Sequence, residues 1–138
     1  LQGVRKIFYE NGKIEIEEYY EDDILIGEYK NYDPNGNLIL VAQYVDGAMS
    51  GVLTKYYTNG NIEEEVMMED NQENGPFKEY YENGQLHWEG NYLNGDNEFG
   101  ELLEYNEEGV LLKKMNCDSL AVCRTVWTKD EGDVVPKY

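Results

Sequence analysis

Apolar and polar residues alternate along short segments of this chain, and turn residues separate the segments. The clearest segment carries Leu86, Trp88, Gly90 and Tyr92 at every second position, with polar residues between them. A period of two is typical of antiparallel β-strands with one packed and one solvated face. The pattern therefore predicts an all-β chain, and no segment has the caps and apolar spacing of a long helix.

The segments repeat with a period of about 24 residues. Each unit contains a glycine, then an aromatic residue five positions later, a turn glycine four positions after that, and an aliphatic residue two positions further on. The turn glycines are Gly12, Gly36, Gly60, Gly84 and Gly109. We predict about five tandem β-hairpins that form an extended, twisted antiparallel meander sheet, followed by a C-terminal cap hairpin.

The spacing also predicts the hairpin loop. A three-residue loop, with a type I turn followed by a left-handed glycine, pairs the aromatic Tyr56 with the aliphatic Ile62. A two-residue Asn-Gly turn would instead place polar residues opposite the aliphatic ones in two repeats. We therefore predict the bulged loop. Phe77 and its equivalents in the other repeats have the wrong parity to share a face with the turn aromatics, unless the strand is kinked.

The chain is predicted to divide into residues 1–116, which hold the hairpin repeats, and residues 117–138, which form a cap hairpin and, from Thr128, a poorly ordered polar tail. Cys117 and Cys123 flank the turn of the cap. A disulfide between them would stabilise the protein by about 2 kcal/mol in an oxidising compartment. Reduced thiols in the cytosol are the equal alternative.

The unit from Gly75 to Tyr92, with its Tyr-Tyr-Glu-Asn-Gly turn, resembles the MORN-variant repeat of bacterial YwqK-type proteins. The resemblance extends over about residues 3–116. It implies an antitoxin or immunity protein that binds a toxin directly, and it brings no catalytic motif. Nothing at the N-terminus resembles a signal peptide, but the sequence begins at Leu1, so a removed leader or a trimmed chain is expected. A bacterial cytoplasmic location is favoured over export.

The charge of the chain limits its partners. It has 29 acidic and 11 basic residues, for a net charge of −18. This charge repels nucleic-acid phosphates and anionic lipid headgroups, so we expect neither nucleic acid nor membrane as a partner. A basic protein, such as a toxin, is the expected partner, because opposite charge speeds association. Acidity that serves solubility alone is the alternative.

Catalytic chemistry finds little support in the sequence. The single histidine, His87, is expected at an outward surface position, and no Ser-His-Asp set or phosphate-binding loop can be assembled. Cys117 and Cys123 with one distant histidine do not complete a zinc site. We therefore expect no enzyme activity, no catalytic residues, no cofactor and no metal.

A binding surface is the remaining functional prediction. The second tyrosines of the turn motif, Tyr9, Tyr57 and Tyr81, lie on the face opposite the turn aromatics. Together with Glu63 and Glu79 they would form an acidic, tyrosine-bearing strip, and tyrosine is enriched at protein interfaces. Cross-strand packing explains these tyrosines equally well. A structural or cell-surface scaffold and binding of glycan or choline by the aromatic repeats are the alternatives in function.

Overall fold

A computed structural model describes residues 2–135 of the chain, and within this range the protein forms 13 β-strands and no helix. No helix in this range is therefore long and apolar enough to cross a membrane. The strands are β1 Gly3–Phe8, β2 Ile14–Glu21, β3 Ile24–Tyr32, β4 Leu38–Val45, β5 Ala48–Met49, β6 Gly51–Tyr56, β7 Ile62–Glu69, β8 Gln72–Tyr80, β9 Leu86–Tyr92, β10 Gly100–Tyr105, β11 Leu111–Cys117, β12 Cys123–Thr128 and β13 Gly132–Asp133.

The strands form a single antiparallel sheet in chain order, and β5 pairs only with β4 beside the main path. Successive hairpins β1–β2, β3–β4, β6–β7, β8–β9 and β10–β11 are the five repeats. This arrangement confirms the predicted all-β meander of 24-residue units. Adjacent hairpins hold each other by main-chain pairing, so the contacts that define the fold lie between neighbours in sequence.

The hairpin loops have the predicted bulged geometry. In the third repeat, the Gly60 N–H donates to the carbonyl of Tyr57 at 3.0 Å, and the Tyr57 N–H donates to the carbonyl of Asn61 at 2.8 Å. Tyr56 pairs with Ile62, as the three-residue loop requires. Gly60 has a φ of 91°, which glycine adopts without the steric cost that a Cβ brings.

A register shift beside each loop corrects one sequence prediction. In the fourth repeat, Glu79 pairs with Trp88 but Tyr80 pairs with Leu86, so His87 is an extra residue in the second strand. Because adjacent residues point to opposite faces and cross-strand partners share a face, Leu86 and Trp88 lie on opposite faces. The predicted strict alternation from Leu86 to Tyr92 is therefore wrong at its first position.

The core lies on the face that we call the inner face, defined by Leu53, Val66, Phe77 and Leu102, which are between 3% and 9% exposed. The turn pairs, such as Tyr80 and Leu86, lie on the opposite, outer face. The hydroxyl of Tyr80 accordingly donates to Glu65, which is the cross-strand partner of Lys78. In the first strand of each repeat, the turn aromatic and the core residue therefore lie on different faces of the sheet. The bulge in the second strand makes this possible, and the first strand needs no kink.

Inner-face partners alternate in size along the sheet. Phe77 pairs with Gly90, and a Cβ added at Gly90 would lie 2.9 Å from Leu102 Cδ1 and 3.0 Å from the Phe77 ring. Tyr29 pairs with Ala42 in the same way. A small residue in one strand thus leaves the volume that a large residue in the next strand fills.

The C-terminal hairpin continues the sheet. Cys117 and Cys123 are cross-strand partners joined by a disulfide, and Asp118 accepts hydrogen bonds from the N–H groups of Leu120 and Val122. The predicted disorder after Thr128 is wrong for residues 132–133, because β13 pairs with the end of β12. Residues 136–138 of the predicted tail lie outside the described range.

Candidate functional site

A row of six side chains, five of them charged, crosses the inner face near the hairpin turns. Cross-strand pairing places the following residues side by side: Lys55, Glu64, Glu79, Trp88, Glu104 and Lys113. Lys55 Nζ lies 3.6 Å from Glu64, and Lys113 Nζ lies 3.8 Å from Glu104. Both ends of the row are therefore ion-paired, whereas Glu79 in the middle stands between a second carboxylate and an indole ring.

The environment of Glu79 disfavours its negative charge. Burial raises the pKa of this carboxyl group most strongly, and the charge of Glu64 opposite it and a hydrogen bond between the two carboxyl groups raise it further. Glu98 and Glu63 add smaller contributions in the same direction. Like charges directly opposite each other destabilise a sheet, so a cation brought to this position would relieve an existing repulsion.

Glu64 and Glu79 form part of a cleft with a volume of about 260 Å³. Lys55, Tyr57, Glu63, Tyr80 and His87 complete its lining. Three of the predicted binding residues, Tyr57, Glu63 and Glu79, thus lie together around one depression. Glu64 and Lys55 were not among the predicted residues, because only the strand register reveals that Glu64 stands beside Glu79 and Lys55 beside Glu64.

The second tyrosines have a structural task. The hydroxyls of Tyr9, Tyr57 and Tyr81 donate to the main-chain carbonyls of Tyr32, Tyr80 and Tyr105 at 2.6–2.8 Å. Each bond reaches from one repeat to the next and fixes the ring across two strands. These tyrosines are partly exposed, but their hydroxyls already donate hydrogen bonds within the protein.

The five predicted residues do not form one continuous strip. Tyr57 and Tyr81 both line an adjoining depression of about 490 Å³, next to the cleft that contains Glu63 and Glu79. Tyr9 belongs to the first repeat and bonds to the second, and neither depression includes it. The structure therefore groups four of the five residues in the third and fourth repeats.

His87 is not the outward surface residue that the sequence indicated. Its ring stacks on Tyr81 with centroids 4.1 Å apart, and Nε2 lies 3.8 Å from Glu104, an inner-face residue. The bulge causes this placement, because His87 is the extra residue of the second strand and turns with Trp88 toward the inner face. The bulge thus brings the His87 ring to the rim of the acidic cleft.

A second cluster lies at the C-terminal end of the inner face. Glu98 Oε2 is 3.5 Å from Cys123 Sγ, and the ligand atoms of Glu98, Cys117 and Cys123 all lie within 4.8 Å of one another. From the sequence only the two sulfurs were expected to lie together, and no metal was expected. Glu98 precedes Cys123 by 25 residues, so no local motif signals its approach.

The sequence profile described as MORN repeat variant matches residues 1–22, 25–46, 49–70 and 73–94, which together make up more than half of the chain. The fifth hairpin, β10–β11, lies beyond these matches and keeps the same loop, with Tyr105 paired to Leu111. A search of curated proteins found no match to the sequence. The repeated matches and the tandem hairpins show that this chain belongs to the MORN repeat variant family.

Proposed function

We propose that this chain is a non-catalytic binding module that takes up a basic protein on its inner face, at the cleft between the third and fourth repeats. MORN repeats support a repeat-based binding or scaffold role. The charge of −18 favours a basic partner, and neither nucleic acid nor a membrane surface suits it.

One observation carries this proposal. Glu79 is nearly opposite Glu64 and beside Trp88, in a cleft that also contains Tyr57. A lysine or arginine side chain from a partner would pair with both carboxylates and contact the aromatic rings through its cation. Binding of this cation would also remove the repulsion between Glu64 and Glu79 that exists in the free protein. The free energy of association would therefore be more favourable than that of an ordinary surface ion pair.

The role that we propose for this binding is immunity. A basic toxin covered by the acidic inner face would be neutralised by direct occlusion, as the resemblance to YwqK-type proteins implies. Tyr57 and Tyr81 are partly exposed at and beside the cleft that contains Glu63 and Glu79, and they supply aromatic contact area of the kind that dominates protein interfaces.

The test is affinity capture from the native cells at low and at raised salt, followed by a toxicity assay of the captured protein. We expect one basic protein, released by salt, whose toxicity the purified chain suppresses. Charge reversal by Glu79→Lys should abolish capture, while the fold keeps or gains stability because the new cation faces Glu64.

Glu101→Lys is the matched control, since it changes the net charge equally and Glu101 is an exposed residue of β10, opposite Asn116. Equal loss of capture in both variants would reduce the effect to net charge and contradict a role of the cleft. Absence of any salt-sensitive basic partner would favour the scaffold role, in which the repeats only present their loops.

A further inference from the structure

We propose that Cys117, Cys123 and Glu98 form a binding site for a thiophilic divalent cation such as Zn²⁺ when the disulfide is reduced. The site is separate from the acidic cleft, and it does not depend on the partner proposed above. Two thiolates and one carboxylate are ligand types that zinc binds in proteins, and a water molecule would complete the fourth position.

The positions of the ligand atoms fit this coordination. With Zn–S bonds of ~2.3 Å and Zn–O bonds of ~2.1 Å, a tetrahedral ion holds sulfur and oxygen ligands about 3.6 Å apart. Glu98 Oε2 is 3.5 Å from Cys123 Sγ in the structure. The carboxylate therefore already stands at the distance from Cys123 Sγ that the ion requires, and the two sulfurs must separate after reduction to admit the ion.

The scaffold around the three residues is well ordered by hydrogen bonds. Cys117 and Cys123 face each other across β11 and β12, and Asp118 closes their turn by accepting two main-chain N–H groups. Glu98 is placed by its bridge to Tyr92 at the end of β9. Ligands from a fixed hairpin and a fixed bridge lose little conformational freedom when an ion binds.

Electrostatics favour a cation at this position. The cluster would carry three negative charges after ligand deprotonation, and the carboxylate of Glu98 also raises the pKa of Glu79. Cys117 is only 3% exposed, so its thiolate would be stabilised chiefly by the ion itself. In the reduced chain without an ion, the two thiolates and the carboxylate would repel one another. A bound cation removes this repulsion.

The oxidised and metal-bound forms exclude each other. A dithiol reductant transfers two electrons and two protons, which break the bond between Cys117 and Cys123 and leave two thiols, while the reductant becomes a disulfide. Zn²⁺ then displaces both thiol protons to solvent and binds the two sulfurs with Glu98. Thiol–disulfide exchange with an oxidised dithiol reverses the step: the bond between Cys117 and Cys123 forms again, the oxidant takes up the two electrons and two protons to become a dithiol, and the ion is released.

The test compares zinc binding before and after reduction of the full chain with a phosphine, which does not compete as a thiol ligand. Titration of free thiols first verifies that two are released per chain. We expect binding of one Zn²⁺ per reduced chain and none per oxidised chain, measured by calorimetry and native mass spectrometry. Co²⁺ should give the absorption bands of a tetrahedral thiolate complex.

Glu98→Gln and Glu101→Gln are the paired variants, and both retain the cysteines. Glu98→Gln should weaken zinc binding at least tenfold in the reduced protein, and Glu101→Gln should leave it unchanged. The proposal is overturned if the thiols cannot be released from the folded chain, if the reduced chain binds no zinc, or if both variants bind zinc as the original does.

Discussion

The first and fourth repeats have the same loop but opposite inner-face chemistry. At corresponding positions, the fourth repeat pairs Phe77 with Gly90, and the first pairs Arg5 with Glu18. Phe77 is 3% exposed and fills the space above Gly90. Arg5 Nε lies 2.9 Å from Glu18, whose side chain is 7% exposed, and the Arg5 side chain is half exposed on the edge strand.

This difference shows how the sheet ends. An interior repeat has neighbours on both sides, so apolar partners of complementary size stabilise it. The first repeat has a neighbour on one side only within the described residues, and on its inner face an ion pair covers the core with polar groups. The loop makes each unit a hairpin, and the inner-face pair decides whether the unit is interior or terminal.

The largest expected effect comes from filling the space at Gly90. Gly90→Ala should lower the free energy of unfolding by about 2 kcal/mol, because the new methyl group overlaps Leu102 and the Phe77 ring. The φ of Gly90 lies outside the left-handed region, so the cost is steric and not conformational. Urea denaturation measures the change.

A double-mutant cycle with Phe77→Leu isolates this contact. In the Phe77→Leu background, Gly90→Ala should cost clearly less, since the ring that meets the methyl group is gone. Equal costs in both backgrounds would show that the size match between Phe77 and Gly90 does not determine the packing of the fourth repeat.

Breaking the ion pair of the first repeat should have a smaller effect. Arg5→Ala leaves the buried Glu18 carboxylate without its guanidinium partner and should cost about 1–2 kcal/mol, less than a fully buried pair because Arg5 is half exposed. Chemical denaturation gives the value. A cost indistinguishable from zero would contradict the capping role of the pair.

Converting the terminal repeat into an interior one sharpens the comparison. Arg5→Tyr together with Glu18→Ala recreates the Tyr29–Ala42 pair of the second repeat. We expect recovered stability but concentration-dependent association through the newly apolar end, measured by sedimentation velocity. A stable variant that remains monomeric at every concentration would show that the ion pair has no role in protecting this end.

Alkaline pH should weaken the fourth repeat. Burial, a hydrogen bond to Glu65 and its charge raise the pKa of Tyr80 to about 12, and burial followed by the charge of Glu79 raises the pKa of Tyr92 to about 12. Both values exceed the ordinary 10.0, so the folded state holds these protons more tightly than the unfolded state. Their contribution to stability is complete below pH 10 and is lost as the pH rises to about 12.

Tyrosinate absorbance and the fluorescence of Trp88, in a Trp127→Phe background, follow this transition. The first repeat has Phe8 at the position of Tyr80 and lacks that phenol. Tyr80→Phe should therefore remove part of the alkaline loss of stability. A denaturation midpoint that stays constant from pH 10 to about 12 would contradict the assignment.

The sequence predicted the elements of this fold better than their faces. Glycine spacing identified the hairpins and their loops, because a left-handed turn residue is a local requirement. The extra residue at His87 is not visible in the alternation, and it moved Leu86 to the outer face and His87 to the acidic cleft. Glu98 approaches Cys123 only through the order of the strands, so no local pattern could predict that cluster.

The smallest expected effect tests what the first and fourth repeats share. Both loops have glycine at the left-handed position, Gly12 and Gly84, with φ of 89° and 91°. The C-terminal hairpin has the same loop hydrogen bonds with Ala121 at that position, at a φ of 62°. Ala121→Gly should raise the free energy of unfolding by about 0.5–1 kcal/mol, because the strain of a Cβ in this region exceeds the added entropy of the unfolded glycine.

Thermal denaturation of the oxidised chain measures this gain, and Gly84→Ala, the converse change, should lower the stability in the same measurement. If Ala121→Gly does not stabilise the chain and Gly84→Ala does not destabilise it, the disulfide and Asp118, and not the turn residue, set the geometry of the last hairpin.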